Sequence, residues 1–184
     1  FETWNKGELK SYLIEITAEI LRKVDEVTGL PMIDVILDKT GQKGTGKWTS
    51  QEAMNLPVSI PTIDVAVSMR DLSVYRELRI KASQLYRPVI QKTEVTKELL
   101  SDLENALAFC FTIAYAQGLS VLAKASDELK MNIPLPDVIR VWRAGCIIRS
   151  ALLGNFTDAF RKDACLPNLL LEPEISSLMK NREN

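Results

Sequence analysis

The sequence predicts an all-α fold. Apolar residues recur at helical spacing through most of the chain, and no run alternates apolar with polar residues as half-buried strands do. Prolines and glycines fall mainly where one periodic segment gives way to the next. No internal repeat is visible. At 184 residues, with 46% hydrophobic and 26% charged residues, the chain suits one domain or one large piece of a longer protein. That balance excludes disordered and collagen-like chains. Position 1 is Phe1, with no signal-like segment behind it, and the polar end from Met179 to Asn184 adds no closing feature. Both ends read as cuts within a longer protein.

The elements follow in order. Leu9, Tyr12, Leu13, Ile16, Ile20, Leu21 and Val24 make the i, i+3, i+4 series of an amphipathic helix, with Asn5 and Glu8 as a capping box. Thr28-Gly29-Leu30-Pro31 stops it. Residues 33–37 fit either a helical turn or a short strand. Residues 38–48, DKTGQKGTGKW, form the one glycine-rich loop. Thr49 with Glu52 then caps a short helix through Met54. Pro61 opens a longer helix, at a position where its missing N–H does no harm. That helix runs to about Leu85 and ends before Pro88. A third long helix begins near Thr93 and passes Ala123. Pro134 and Pro136 interrupt the pattern, and residues 137–160 read as one or two helices with Gly145 and Gly154 inside. A last helix follows Pro173.

Residues 105–123, NALAFCFTIAYAQGLSVLA, carry no charge over nearly the length of a membrane span. They contain Asn105, Thr112, Gln117 and Ser120 and run straight into Lys124, Asp127 and Glu128. The reading is therefore a core helix of a helical domain, with no membrane partner and with Cys110 as a small buried hydrophobe. Lys+Arg 23 against Asp+Glu 24 leaves a net charge of −1 and no general pull on nucleic acid or lipid. With His 0, the usual Ser-His-Asp and Cys-His arrangements are excluded, as is the commonest metal ligand; no metal is expected. Cys110, Cys146 and Cys165 read as reduced thiols of a cytosolic protein.

Gly41-Gln42-Lys43-Gly44-Thr45-Gly46-Lys47 fits the GxxxxGK part of a P-loop. The next residue is Trp48, where magnesium binding needs Ser or Thr, and no parallel sheet carries the motif. What remains is a loop chemically suited to an anion such as phosphate; a solvated surface turn is the alternative. Arg70 shares a helical face with Ile63, Val67, Val74 and Leu78. An arginine in an apolar stripe needs a partner, so it is a structural ion pair, a snorkelling side chain or an anion hook at a cleft floor. Arg140, Trp142, Arg143, Gly145, Cys146 and Arg149 form a cluster that fits either a phosphate- or nucleic-acid-binding surface or internal helix packing; with no excess of positive charge the reading is packing, with Gly145 marking close helix approach. Glu15 and Glu19 are i, i+4 neighbours with no sign of burial, and no catalytic constellation is evident.

At these motifs the sequence resembles the helical domain of the 6-phosphogluconate dehydrogenase family. The resemblance rests on WNKGELKSYLIEIT at residues 4–17, LDKTGQKGTGKWT at 37–49, YAQG at 115–118, WRAGCIIRS at 142–150 and NLLL at 168–171. It spans almost the whole chain, so residues 1–184 are expected to form an all-helical substrate and dimerisation domain. The resemblance implies a cytoplasmic homodimer that converts 6-phosphogluconate to ribulose 5-phosphate and carbon dioxide in the pentose phosphate pathway. NADP would be bound mainly by a Rossmann domain that these residues do not contain. Matching by motif places Lys43, Thr45 and Arg70 at the substrate phosphate, with Lys47 less defined. The lysine base and glutamate acid of the family belong to a motif this chain lacks, so no catalytic residue is expected within it and the chain alone is expected to be inactive. Residues 75–79, YRELR, depart from the family's usual LKDER-like stretch, with no consequence for the phosphate site expected. A non-catalytic helical dimerisation or interaction module is the alternative.

Overall fold

A computed structural model describes residues 1–87 and 93–182. Within them lie α1 (Tyr12–Arg22), α2 (Met32–Val35), α3 (Thr45–Asn55), α4 (Pro61–Ser73), α5 (Arg76–Tyr86), α6 (Lys97–Glu128), α7 (Leu135–Trp142), α8 (Leu152–Lys162) and α9 (Pro173–Lys180). Short 3-10 turns occupy Trp4–Lys6 and Leu169–Leu171. Backbone bridging among the described residues is limited to two isolated pairs, Ser11 with Ser150 and Val24 with Pro31. The all-α expectation therefore holds.

Several boundaries differ, each for a local reason. Ser11 caps α1 by accepting from the Ile14 N–H, while Asn5 Oδ1 instead accepts the Ser11 N–H at 3.1 Å. The expected Asn5–Glu8 capping box is thus replaced by a single serine cap that starts later. α3 begins at Thr45, because Gly44 turns the chain at φ 94° and acts as N-cap. Thr49 consequently lies inside the helix, its hydroxyl donating to the Thr45 carbonyl at 2.9 Å. The helix expected from Pro61 to about Leu85 breaks at Val74–Tyr75 into α4 and α5. Pro88, expected to stop it, lies outside the described residues, as do Glu183 and Asn184. Gly145 sits at φ 74° in the link between α7 and α8, with nothing within 4 Å of an added Cβ. It serves the turn and not a close helix approach.

α6 is the spine. Its 32 residues extend about 48 Å and supply a wall to each of three apolar clusters. Ala108 joins Leu9 and Ile14; Ala116 and Leu119 join Ile139, Leu153, Phe156, Phe160, Leu169 and Ile175; Val121 joins Ala53, Leu56 and Ile60. The helix is long and apolar enough to cross a membrane by length and composition alone. Its polar residues have specific internal partners. Thr112 donates to the Ala108 carbonyl at 2.9 Å, and Ser120 Oγ accepts from Asn168 Nδ2 at 3.2 Å. Gln117 Oε1 accepts the N–H groups of Thr62 and Ile63 at 3.1 and 3.3 Å, and its Nε2 donates to Thr62 Oγ1 at 3.1 Å. It thus satisfies donors that the first turn of α4 leaves open. The spine is central but not enclosed: Cys110, expected to be buried, faces outward and is exposed.

Candidate anion-binding site

The glycine-rich loop reaches α3 laced to the far end of α4 and the start of α5. Asp38 accepts from Arg79, Thr40 N–H donates to Ser73 Oγ at 3.0 Å, and Gln42 Nε2 donates to Asp71 Oδ1 at 3.2 Å. The Ser73 hydroxyl donates to the Arg70 carbonyl at 2.6 Å, so the Thr40 hydroxyl, 2.6 Å from Ser73 Oγ, is the donor of that pair. Hydrogen bonding from Arg79 holds the Asp38 carboxyl below the usual carboxylate range.

Beyond these laces the chain turns at Gly44 and α3 starts without a side-chain cap. Its first amide groups therefore point outward with the positive end of the helix dipole behind them. Gly46, in that first turn, lies against α4: a Cβ there would sit 3.0 Å from Val67 Cγ2 and 3.4 Å from Arg70 Nη1. The absence of a side chain lets the Arg70 guanidinium lie over the helix start. Lys43 flanks the turn on one side, Thr45 opens the helix, and Lys47 follows one residue after Gly46. All four cationic or hydroxyl groups are exposed. Among the described residues none of Lys43, Lys47 and Arg70 forms an ion pair. The nearby acids are engaged elsewhere, Asp38 by Arg79, Asp71 by Gln42 and Asp64 by Ser50 at 2.7 Å. Unpaired cations at an uncapped helix N-terminus are a setting that favours an anion, which makes this corner the candidate site.

Arg70 differs from its expected setting. Because α4 ends at Ser73, Val74 and Leu78 do not continue its face, and α4 contains no buried residue. Arg70 is therefore exposed beside Val67 and over Gly46, not sunk in an apolar stripe. Arg79, which ends the 75–79 stretch, grips the loop through Asp38. No spacing in the sequence joins Asp38 to Arg79; only the fold does.

The second arginine cluster is divided. Arg149 pairs with Glu15 and lies 5.3 Å over the Tyr12 ring, which joins the link before α8 to α1 as a packing role requires. Arg140 pairs locally with Asp137 at 3.3 Å, and Arg143 is exposed. Nearby, Leu13, Ile63, Phe111, Tyr115, Trp142 and Ile147 line an apolar cavity of about 440 Å³. The Tyr115 hydroxyl donates to the Ile148 carbonyl, and burial pushes its pKa up to about 12. The cavity assembles residues from several helices far apart in sequence, so no local motif announces it.

Fold and site together define an all-helical domain with a candidate anion-binding corner. The chain belongs to the 6-phosphogluconate dehydrogenase family: the model of its C-terminal domain matches residues 1–184. A Lactococcus lactis 6-phosphogluconate dehydrogenase, decarboxylating, is 46% identical over 181 residues, 98% of this chain and 38% of that protein. Two Bacillus subtilis relatives match to the same degree. The NADP+-dependent one is 44% identical, with 98% of this chain and 39% of that protein covered. The NAD+-dependent one is 47% identical, with 94% and 37% covered. Plasmodium falciparum 6-phosphogluconate dehydrogenase, solved in apo form and with NADP+ and 6-phosphogluconate, superposes with a TM-score of 0.92 at 41% identity. That match covers 98% of this chain and 39% of the Plasmodium chain. The chain thus spans under two fifths of the length of these relatives.

Proposed function

We propose that this chain is the substrate-phosphate and dimerisation domain of an NADP-dependent, decarboxylating 6-phosphogluconate dehydrogenase. The observation that carries the reading is the group of unpaired cations, Lys43 and Arg70, around the uncapped start of α3. A phosphate dianion matches that charge and the outward amide groups. Arg70 offers a planar fork to two phosphate oxygens, Lys43 a mobile point charge, and Thr45 a hydroxyl donor. Holding the phosphate fixes one end of 6-phosphogluconate. Binding energy from this unreactive end then orients the carbons that are oxidised and decarboxylated.

These residues do not fit the cofactor. The sequence has no dinucleotide fingerprint and the described residues hold no parallel sheet, so NADP would be held mainly outside them. The similar identity to NADP+- and NAD+-dependent relatives agrees with a cofactor choice made elsewhere. The chain carries no lysine–glutamate acid–base motif either, and alone it should bind phosphate esters weakly without reducing NADP.

Homodimerisation finds support in apolar side chains left open along α4 and α5. Val65, Met69, Tyr75 and Leu78 are each more than half exposed, which is costly unless a second surface covers them. Three free thiols suit a cytoplasmic, reducing setting. The same open faces favour the alternative of a purely structural interaction module. Charge reversal decides between them. In the full-length protein, Lys43→Glu with Arg70→Glu should abolish 6-phosphogluconate binding by calorimetry while helical content and oligomeric state persist. Binding that survives the reversal leaves only the interaction module.

A further inference from the structure

We propose that Arg79 is the positioning residue of the phosphate site, holding loop 38–44 in the register on α4 that sets Lys43 and Thr45 beside Arg70. The inference rests on the phosphate reading above and names the group that assembles the site. Neither α4 nor α5 contains a buried residue, so apolar packing does not fix the loop against them. Directional hydrogen bonds must do so. From the first turn of α5, Arg79 Nη1 donates to Asp38 Oδ2 at 2.7 Å, and Nη2 donates to the carbonyls of Asp38 at 2.8 Å and Ser73 at 3.1 Å. One planar group thereby ties the start of the loop, the last residue of α4 and α5 itself.

The connection continues to the proposed ligands. The Ser73 hydroxyl meets the Arg70 carbonyl and takes both donors of Thr40, three residues before Lys43. Arg79 is well covered, its side chain 31% exposed against 68% for Asp38. Its Nε is shielded from solvent and has no partner among the described residues, so the two Nη atoms alone set its place. A lysine keeps the charge but cannot reach three acceptors in that fork geometry.

The test uses the full-length enzyme carrying Arg79→Lys. Turnover of 6-phosphogluconate is compared with turnover of gluconate, which lacks the phosphate. The expected result is a fall of about ten- to a hundredfold in the ratio of kcat/KM for the two substrates, expressed mainly in KM. Ser73→Ala should lower the same ratio less. A ratio that does not move, whether both activities stay or fall together, overturns the proposal. Failure of both variants to fold also overturns it, because Arg79 would then serve the fold and not the site. Lys43→Ala run in parallel separates the two claims. If it too leaves the ratio untouched, the phosphate reading itself fails. If only Lys43→Ala lowers the ratio, the positioning role alone fails.

Discussion

Residues 37–87 and the helices from α6 onward are held together by different means. α8 alone buries Leu152, Leu153, Phe156, Thr157, Ala159 and Phe160, and it packs with α6, α7 and α9 into one apolar cluster. By contrast, residues 37–87 bury only Ala53, Leu56 and Ile60, all at the α3–α4 junction against Val121, and no residue within α4 or α5 is buried. Away from that junction, loop 38–44 is held to the end of α4 and to α5 by hydrogen bonds among Asp38, Thr40, Gln42, Asp71, Ser73 and Arg79. Apolar burial tolerates small shifts because it is not directional, whereas a hydrogen bond fails when its geometry does. The difference assigns stability to one region and geometric definition to the other.

The largest test of that division is in the core. Phe156 is 2% exposed and stacks edge-on to Tyr115 at 5.5 Å. Phe156→Ala should cost about 3–5 kcal/mol by denaturant unfolding. The loop responds to conformation more than to volume. Gly44→Ala forces a side chain into the left-handed region at φ 94° and should cost about 1–2 kcal/mol. It should also weaken phosphate binding, which Phe156→Ala should not do in chains that remain folded. Gln117→Ala joins the regions: it belongs to the spine, but its loss uncaps α4 at Thr62 and Ile63 and should cost about 1 kcal/mol. If that loss leaves phosphate affinity intact, the two regions are independent of each other.

The smallest effect is one of pH. The Asp38 carboxyl lies below its ordinary value of 3.8, so its contribution is complete above that value and is lost as pH falls through the lower folded value. The protection factor of the Thr40 amide should fall over that acid range before those in α8 do. Asp38→Asn should remove the step; a step that persists in Asp38→Asn assigns it to another group.

The two regions were also unequally legible in the sequence. Helical spacing located α1, α6 and α9, because each has a long apolar stripe or a proline at its start. The anion corner was half visible, since Lys43, Thr45 and the glycines are contiguous. Arg70 was singled out for a stripe that the structure divides: the break at Val74–Tyr75 cannot be read where apolar residues continue in helical period across it. Asp38 with Arg79, Thr40 with Ser73, and Gln42 with Asp71 were invisible, because side-chain pairs across distant segments have no period. Cys110 misled for a related reason, as a helix rich in apolar residues on every side gives no signal of which side the chain itself covers.

Gln117 gives the molecule a lever. α4 is pinned to α6 at Thr62, and Arg70 rides on the same rigid helix about 12 Å further along its axis. A tilt of about 5° about that pin would swing the guanidinium by about 1 Å, on the scale of misalignment that alters binding. A change at the middle of the spine that tilts α4 would therefore be felt at the corner proposed to hold the anion.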